Sequence, residues 1–485
     1  MAKAPLTTDP VALVTGGSGF LGREIVRGLL REGYQVILLL REGRRWGRRP
    51  DQVVGVVPVE RRRRDLLRDL QAGPDMASRL HVVEADLSDP DCPAIAAGIR
   101  ERMIGQIGSR VIDTVVHCGA RLTMDYAGQD PEKRLDICRR NAATNVGGMA
   151  GLLQVLDLLD EGAPAALPAV RIIRPSIVTG PRSGDAYMAF IRFLKKKYVG
   201  TNLISIVRHA MRLLPEHVVL PLPGHPDSII DMIDESEVTR AVLAMIRHDL
   251  QNGQPRPDRG PAITVRHFHQ ISTAYVHGRM TGLLAEAALP PAEQVRPKNS
   301  YEATKGQAEE LLLAWQADRL AASMAARGIA REEREDLGRR VLQTSLAFNH
   351  ITNPSSRTLA EVVDETLRAM RWDDRLLRHV QVMARGPAYD TALAELKKWS
   401  PVVHRILLGM WRELPMLEVY FFRDPGTRFD PRETRALLAA AGLDYRPAPL
   451  TARYVRDHLI AGLPHDNYPE DRAWSSSHPA GSPPA

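Results

Sequence analysis

Apolar runs bounded by polar turns alternate with amphipathic stretches through the first third of the chain. The runs predict strands near 11–15, 35–40, 80–85 and 113–118, and the stretches between predict helices near 22–32, 61–71, 92–107 and 138–160. Strands and helices alternating in this way argue for a parallel sheet covered by helices on both faces. A further strand is predicted at Val170–Ile173, between linkers at 162–168 and 254–261 that are marked by glycine and proline. Another follows at Ile263–Ser272, then a long helix at about Ser300–Arg327. Beyond Arg357 the pattern is mostly helical, with aromatics gathered at Trp411 and Tyr420-Phe421-Phe422. The tail from His465, closing on Ser, Pro, Ala and Gly, has the composition of a disordered segment.

At 485 residues and 44% hydrophobic, the chain has material for one large elaborated domain or two. The excess of 65 Lys+Arg over 58 Asp+Glu is only +7 and is spread along the chain. No basic stripe interleaved with aromatics appears, which argues against nucleic-acid binding. Cys92, Cys118 and Cys138 lack paired or metal-ligand spacing, as expected in a reducing compartment. The first ten residues have no signal-peptide core, and no uninterrupted apolar run reaches about 18 residues. The expectation is a soluble cytoplasmic protein without a membrane span.

Thr15-Gly16-Gly17-Ser18-Gly19-Phe20-Leu21-Gly22 sets three glycines between the first strand and the helix after it. Glycine permits the tight turn, close approach of a pyrophosphate and packing of helix on sheet. The helix N-terminus adds free N–H groups and partial positive charge. The second strand ends in Arg41, where an acid would grip the ribose 2′-hydroxyl of NAD. A basic residue there suits a 2′-phosphate, so NADPH is expected on Arg41 alone. Arg44 and Arg45 stand behind it, while Arg48, Arg49 and Arg61–Arg64 read as solvated surface.

Tyr301 and Lys305 lie four apart on one face of the long helix. A phenol with a pKa near ~10 is a poor acid–base group at neutral pH, and an adjacent cation lowers that value. Tyr301 is then a proton donor to a developing alkoxide, with Lys305 tuning it and holding a cofactor ribose. Ser272 and Thr273 end the strand before this helix and offer a hydroxyl to the same oxygen.

These motifs together resemble the extended short-chain dehydrogenases/reductases, and more narrowly the fatty acyl-CoA reductases and thioester-reductase domains. The resemblance spans roughly residues 10–370, and more loosely the helical region after it. It implies a Rossmann-type α/β fold, a doubly wound parallel sheet with a helical C-terminal substrate-binding region. Ala85-Asp86-Leu87-Ser88 resembles the family segment at the adenine edge. Val115-Val116-His117-Cys118-Gly119-Ala120 resembles the strand end beside the adenosine ribose, and Asn145-Val146-Gly147-Gly148 the helix that follows. Arg174-Pro175-Ser176-Ile177 resembles the segment against the nicotinamide, and Phe348-Asn349-His350-Ile351-Thr352-Asn353-Pro354 a later strand. Counting back from Gly278 in Ser272-Thr273-Ala274-Tyr275-Val276-His277-Gly278, the family's catalytic hydroxyl falls on Thr273, with Ser272 as runner-up.

The implied cofactor-binding set is Thr15, Gly16, Ser18, Gly19, Phe20, Leu21, Gly22, Arg41, Asp86, Leu87, Cys118, Gly119, Ala120, Asn145, Pro175, Ile177 and Lys305. The implied catalytic set is Thr273, Tyr301 and Lys305, with no metal. The implied reaction is NADPH-dependent reduction of a fatty acyl thioester, acyl-CoA or acyl-carrier protein, to an aldehyde and onward to an alcohol. Two alternatives remain: a sugar epimerase or hydroxysteroid-type dehydrogenase on the same scaffold, and a non-catalytic NADPH-sensing interaction protein.

The order of segments departs from the family's, with residues 165–255 and 263–345 exchanged. Linkers at the N-terminal edge of the sheet can reach exchanged strands, because neighbouring strands lie only about 4.8 Å apart. The expected layout is a catalytic domain over 1–355 with inserted substrate elements at about 180–255, an acyl-binding region over 356–464 and a tail over 465–485. His117, His267, His269 and His277 are read as core or strand-end residues, and Cys118 as inert. The apolar stretches 203–222 and 400–422 fit an acyl tunnel or core packing equally. Arg405–Arg412, apolar with basic flanks, fits either packing on its own domain or a peripheral membrane contact.

Overall fold

Seven strands pair in parallel: β1 (Val11–Thr15), β2 (Gln35–Leu40), β3 (Leu80–Glu84), β4 (Val111–His117), β5 (Ala169–Pro175), β6 (Thr264–Ile271) and β7 (Leu346–Ile351). Their order across the sheet is β7-β5-β6-β4-β1-β2-β3. The computed structural model describes residues 9–46, 53–123, 125, 130–160, 167–181, 183, 186–198, 201–252, 262–414 and 423–463. Most of both linkers, the Tyr420-Phe421-Phe422 cluster, Arg48, Arg49 and the tail lie outside the described residues.

Alternate residues of each strand face opposite layers. Ala12, Val14, Val36 and Leu38 pack under α1 (Phe20–Arg31) through Ile25, Val26, Leu29 and Leu30. Val11, Leu13, Ile37 and Leu39 face α2 (Cys92–Arg100) and α3 (Gly148–Leu159). The first layer is completed by α4 (Glu235–Asn252) and the second by α5 (Ser300–Ala326). Each fully buried aliphatic side chain contributes about 1.5–3 kcal/mol, so continuous apolar strands stabilise a sheet covered on both sides.

Two helices are longer or more broken than their pattern suggested. The predicted 92–107 helix turns π-helical at Glu101–Ile107. The predicted 138–160 helix starts earlier, at Pro131, where Asp130 accepts from Lys133 N at 3.1 Å and proline occupies the first turn. A π-helical turn at Ala142–Gly147 precedes α3. Pro131–Leu159 is long and apolar enough to cross a bilayer, contrary to expectation, yet Met149, Leu152 and Leu156 are buried on the sheet. The polar helix α6 (Arg331–Ser345), which leads into β7, carried no apolar signal and was not anticipated.

The C-terminal region does not keep a core to itself. Val403, Leu407 and Met410 share one apolar cluster with Met188, Ile191, Leu203 and Val207 from the 180–255 insertion. Core packing therefore accounts for the buried residues of both apolar stretches, while Leu213, Val402 and Leu408 stay exposed.

The exchange of segments leaves one continuous parallel sheet. β6, late in the chain, lies beside β4, and β5 lies outside it. The ends that the usual order would join are already neighbours. Ile263 N donates to Leu159 O at 3.1 Å, bringing the end of α3 to the start of β6. Gln316 Nε2 donates to Pro168 O at 3.0 Å and Ser345 Oγ at 3.1 Å, bringing the end of α6 to the start of β5. Arg171 pairs with Asp249 near the end of α4 and donates to Asn349 Oδ1 of β7 at 2.5 Å. A chain reordered as 1–162, 263–345, 165–255, 346–485 is therefore expected to keep the same near-UV circular dichroism and a cooperative thermal transition. Loss of cooperativity would show that the present order is required.

Candidate active site

The glycine turn is built by backbone crowding. Gly16 has φ +69°, and a Cβ there would sit 2.5 Å from Gly119 N and 2.6 Å from the Cys118 carbonyl carbon. Gly19 N closes the turn on Gly16 O at 2.9 Å, and a Cβ on Gly22 would overlap that same carbonyl. Gly19, the N-cap of α1, offers no side chain to the helix N–H groups, which leaves them free for an anion. Phe20 and Leu21 form the first turn of α1. Thr15 Oγ1 hydrogen-bonds His117 Nδ1 at 2.7 Å and accepts from Gly119 N at 3.3 Å, tying the ends of β1 and β4 together. Burial, with the Lys305 charge nearby, pushes His117 down to about 3, so it is neutral.

Arg41 follows β2, is largely exposed and stands 4.0 Å from Asp86 Oδ2. Arg62, expected to be solvated surface, instead lies across this end of the site. Its guanidinium donates to Ser18 Oγ at 2.8 Å and to the Arg41 carbonyl. Burial and the Arg41 charge lower its pKa. Two cations held together here would be relieved by a phosphate dianion. Arg44 and Arg45 lie on a strand, Gly43–Trp46, paired with Val53–Val57. Asp86 Oδ1 accepts from Ser88 N at 3.1 Å and Ser88 Oγ at 2.6 Å, and Leu87 packs beside Gly148 and Gly151 of α3.

Asn145, in the π-helical turn, donates to Thr304 Oγ1 at 2.9 Å and accepts from Arg121 N at 2.7 Å. It braces the backbone just past Cys118, Gly119 and Ala120 against α5. Asn141 Nδ2 and Asp125 Oδ1 add contacts to Ser300 at 2.8 and 2.6 Å. With Asn299 capping Glu302 N at 2.9 Å, the first turn of α5 is fixed from three sides.

Lys305 is buried at 2% exposure and donates to Ile271 O at 2.7 Å. Burial pushes its pKa down to about 8, against the opposing pull of Glu309 and Cys118. The Cys118 thiol, largely buried just beyond β4, is pushed up to about 12 by burial, consistent with inertness. Tyr301 departs from expectation: burial and then the Glu302 carboxylate raise its pKa rather than Lys305 lowering it. It is held as a phenol, the form that donates a proton. Among the described residues its hydroxyl has no hydrogen-bond partner.

Thr273 and Ser272 separate clearly. Ser272 Oγ donates to Glu309 Oε1 at 2.5 Å, so its proton is engaged. Thr273 Oγ1 caps the short turn Ala274–His277 by accepting from Tyr275 N at 3.3 Å, with only a long 3.5 Å contact to Pro175 O. Ile177 is buried just beyond Pro175, also past the carboxyl end of β5. Glu309 itself was missed by the motif reading. It receives Arg174 through Nε at 3.1 Å and Nη2 at 2.6 Å, both residues being almost wholly buried. Its signal was present, since Tyr301, Lys305 and Glu309 recur every four residues along one helix stripe. His117, His267, His269 and His277 are all buried, and no metal-ligand cluster occurs among the described residues.

Residues 14–155 match the family model described as male sterility protein. That match runs from β1 through most of α3, well under half of the chain, and makes this part similar to that family. No curated protein matches it. Among solved structures, the chain is similar to the terminal R domain from the myxalamid PKS-NRPS biosynthetic pathway. That likeness has a TM-score of 0.42 and 14% identity, covering 99% of this chain and 94% of that one. The reductase domain of a nonribosomal peptide synthetase from Mycobacterium tuberculosis follows at 0.40 and 13%, covering 93% and 90%. A UDP-glucuronic acid 4-epimerase mutant from Bacillus cereus gives 0.33 and 12%, covering 84% and 99%.

The buried Lys305 has a measurable cost. In the unfolded chain a lysine titrates near ~10.4, against about 8 for Lys305 in the fold. Below pH 8 both states are protonated, and folding must desolvate the cation. Between 8 and 10.4 the folded chain sheds its proton first, so stability rises with pH. Lys305→Met is expected to be the more stable protein at pH 7, by no more than about 3 kcal/mol, with the gap closing over that window. Urea unfolding at a series of pH values checks this, and a variant less stable at every pH would contradict it.

Proposed function

We propose that the protein is an NADPH-dependent reductase of a fatty acyl thioester, acting in the cytoplasm. The observation that carries the reading is the junction at Thr273. On one side Thr273, whose hydroxyl makes only a long 3.5 Å bond to Pro175 O, lies with Tyr301 and Lys305 at the carboxyl edge of the sheet, where ligands bind in such folds. On the other, Ala274 and Tyr275 begin the apolar cluster shared by the insertion and the C-terminal helices. A carbonyl at the hydroxyls therefore has an apolar wall beside it, as an acyl chain requires.

The residues present fit the cofactor. Gly16 and Gly22 leave backbone bare for a pyrophosphate, and Arg41 with Arg62 faces the place of a 2′-phosphate. When bound, reduced nicotinamide supplies hydride to the thioester carbonyl carbon. Thr273 and Tyr301 hydrogen-bond the oxyanion that develops on the substrate, and these donors act at the point where charge appears. Lys305 holds the ribose and keeps a positive charge near the oxyanion. Collapse of the adduct expels the thiolate, which takes a proton, and leaves an aldehyde. A second reduction gives the alcohol, with Tyr301 protonating the alkoxide.

Oxidation of NADPH on addition of a long-chain acyl-CoA tests the reading. Tyr301→Phe is expected to lower kcat by about 100-fold or more, because a positioned proton donor is worth that much. Cofactor that binds without turnover on acyl-CoA or acyl-carrier protein, in wild type as in variant, would replace the enzyme reading with a sensing role. Arg62→Gln is expected to weaken NADPH at least tenfold and leave NADH unchanged, since a charged hydrogen bond is worth about 1.5–3 kcal/mol. Equal losses for both cofactors in titration would instead make Arg62 a structural tie.

A further inference from the structure

We propose that the face formed by the helices Pro387–Trp399 and Pro401–Glu413, with the turn after Leu203–Met211, docks this protein onto an anionic lipid surface. Four large apolar side chains stand out of it: Leu213 at 75% exposure, Val402 at 53%, Leu408 at 47% and Trp399 at 46%. They belong to one surface. The His217 ring, four residues after Leu213, meets Trp399 edge-on at 6.1 Å between centroids, and the helix Leu203–Met211 packs on the helix Pro401–Glu413. Along that helix Val403, Leu407 and Met410 point into the core, while Val402, Arg405 and Leu408 point outward. The outward row is thus surplus to the fold's own packing.

Basic groups are concentrated where the apolar side chains protrude, while Glu216, Asp390 and Glu395 lie on the same elements. From Leu396 to Met410 the chain carries Lys397, Lys398, His404 and Arg405 and no acid. Lys397, Lys398 and Arg405 are exposed. Glu395, the acid at the edge, is already engaged by Trp399 Nε1 at 2.7 Å, Lys398 Nζ at 3.6 Å and His217 at 3.8 Å. Arg212, beside Leu213, stands 3.8 Å from Asp373.

Protruding aliphatics, a tryptophan and flanking lysines are the composition of an interfacial contact. The apolar tips enter the acyl boundary, the indole sits at headgroup level and the cations meet anionic lipid. An acidic protein would satisfy the lysines, but it would not call for separate, protruding apolar side chains. This inference rests on no assumption about the reaction, because it is tested by binding alone.

The test is sedimentation of the full-length protein with vesicles of phosphatidylcholine, alone or mixed with phosphatidylserine. The expected result is binding to the mixed vesicles that weakens with salt. Lys397→Glu with Lys398→Glu should reduce it tenfold or more, each basic residue near such a surface being worth about fivefold. Trp399→Ser with Leu408→Ser should also reduce it, and unchanged thermal midpoints would place both losses at the surface rather than in the fold. The proposal is overturned if wild type does not sediment, or if neither pair of substitutions changes sedimentation. Capture by an acidic carrier domain through these residues, with no vesicle binding, would overturn it equally.

Discussion

The buried pair between Arg174 and Glu309 holds the active site to the rest of the molecule. Arg174 comes from β5, on one exchanged segment, and Glu309 from α5, on the other. Removing both charges from water costs several kcal/mol per ion, repaid only when geometry is close and every remaining atom is satisfied. Here it is: Arg174 also donates to Ala287 O at 2.7 Å and stacks over Phe348, while Glu309 also accepts from Ser272. Loss of one partner would leave a lone buried charge. The two segments are therefore bound to one relative placement, whatever their order along the chain. A second link, Arg171 and His269 on Asp249, repeats the device nearer the other edge of the sheet.

That placement also sorts the hydroxyls. Glu309 engages the Ser272 hydroxyl, whereas Thr273 makes only a long bond to Pro175 O, and Lys305 donates to Ile271 O. The phenol of Tyr301 is governed by burial and then Glu302, and a tyrosine held protonated suits a site that delivers a proton. Such a site is set up by electrostatics fixed before substrate arrives.

The glycine turn, the Tyr-x-x-x-Lys helix and the strand runs were legible because each is local: a steric need, a four-residue spacing, an apolar run. Arg62 was not legible, since four consecutive arginines read as surface and only the fold brings one onto Ser18. Glu309 lay on a visible stripe but had no meaning without Arg174, which is 135 residues away. The helix Arg331–Ser345 had no apolar face to announce it. The early start of the Pro131 helix was hidden by charged residues, although Asp130-Pro131 is a sound capping signal.

The sequence by itself determined the elements, the chemistry of the glycine turn and the candidate acid and hydroxyls, because short-range sterics and spacing encode these. The neighbours of β6, the bond from Ser272 to Glu309, the ionisation of Tyr301 and the shared core of insertion and C-terminal helices were decided only in the tertiary structure. They depend on desolvation and on charges far apart in sequence. Both come into being only when strands exchanged along the chain settle side by side in the sheet.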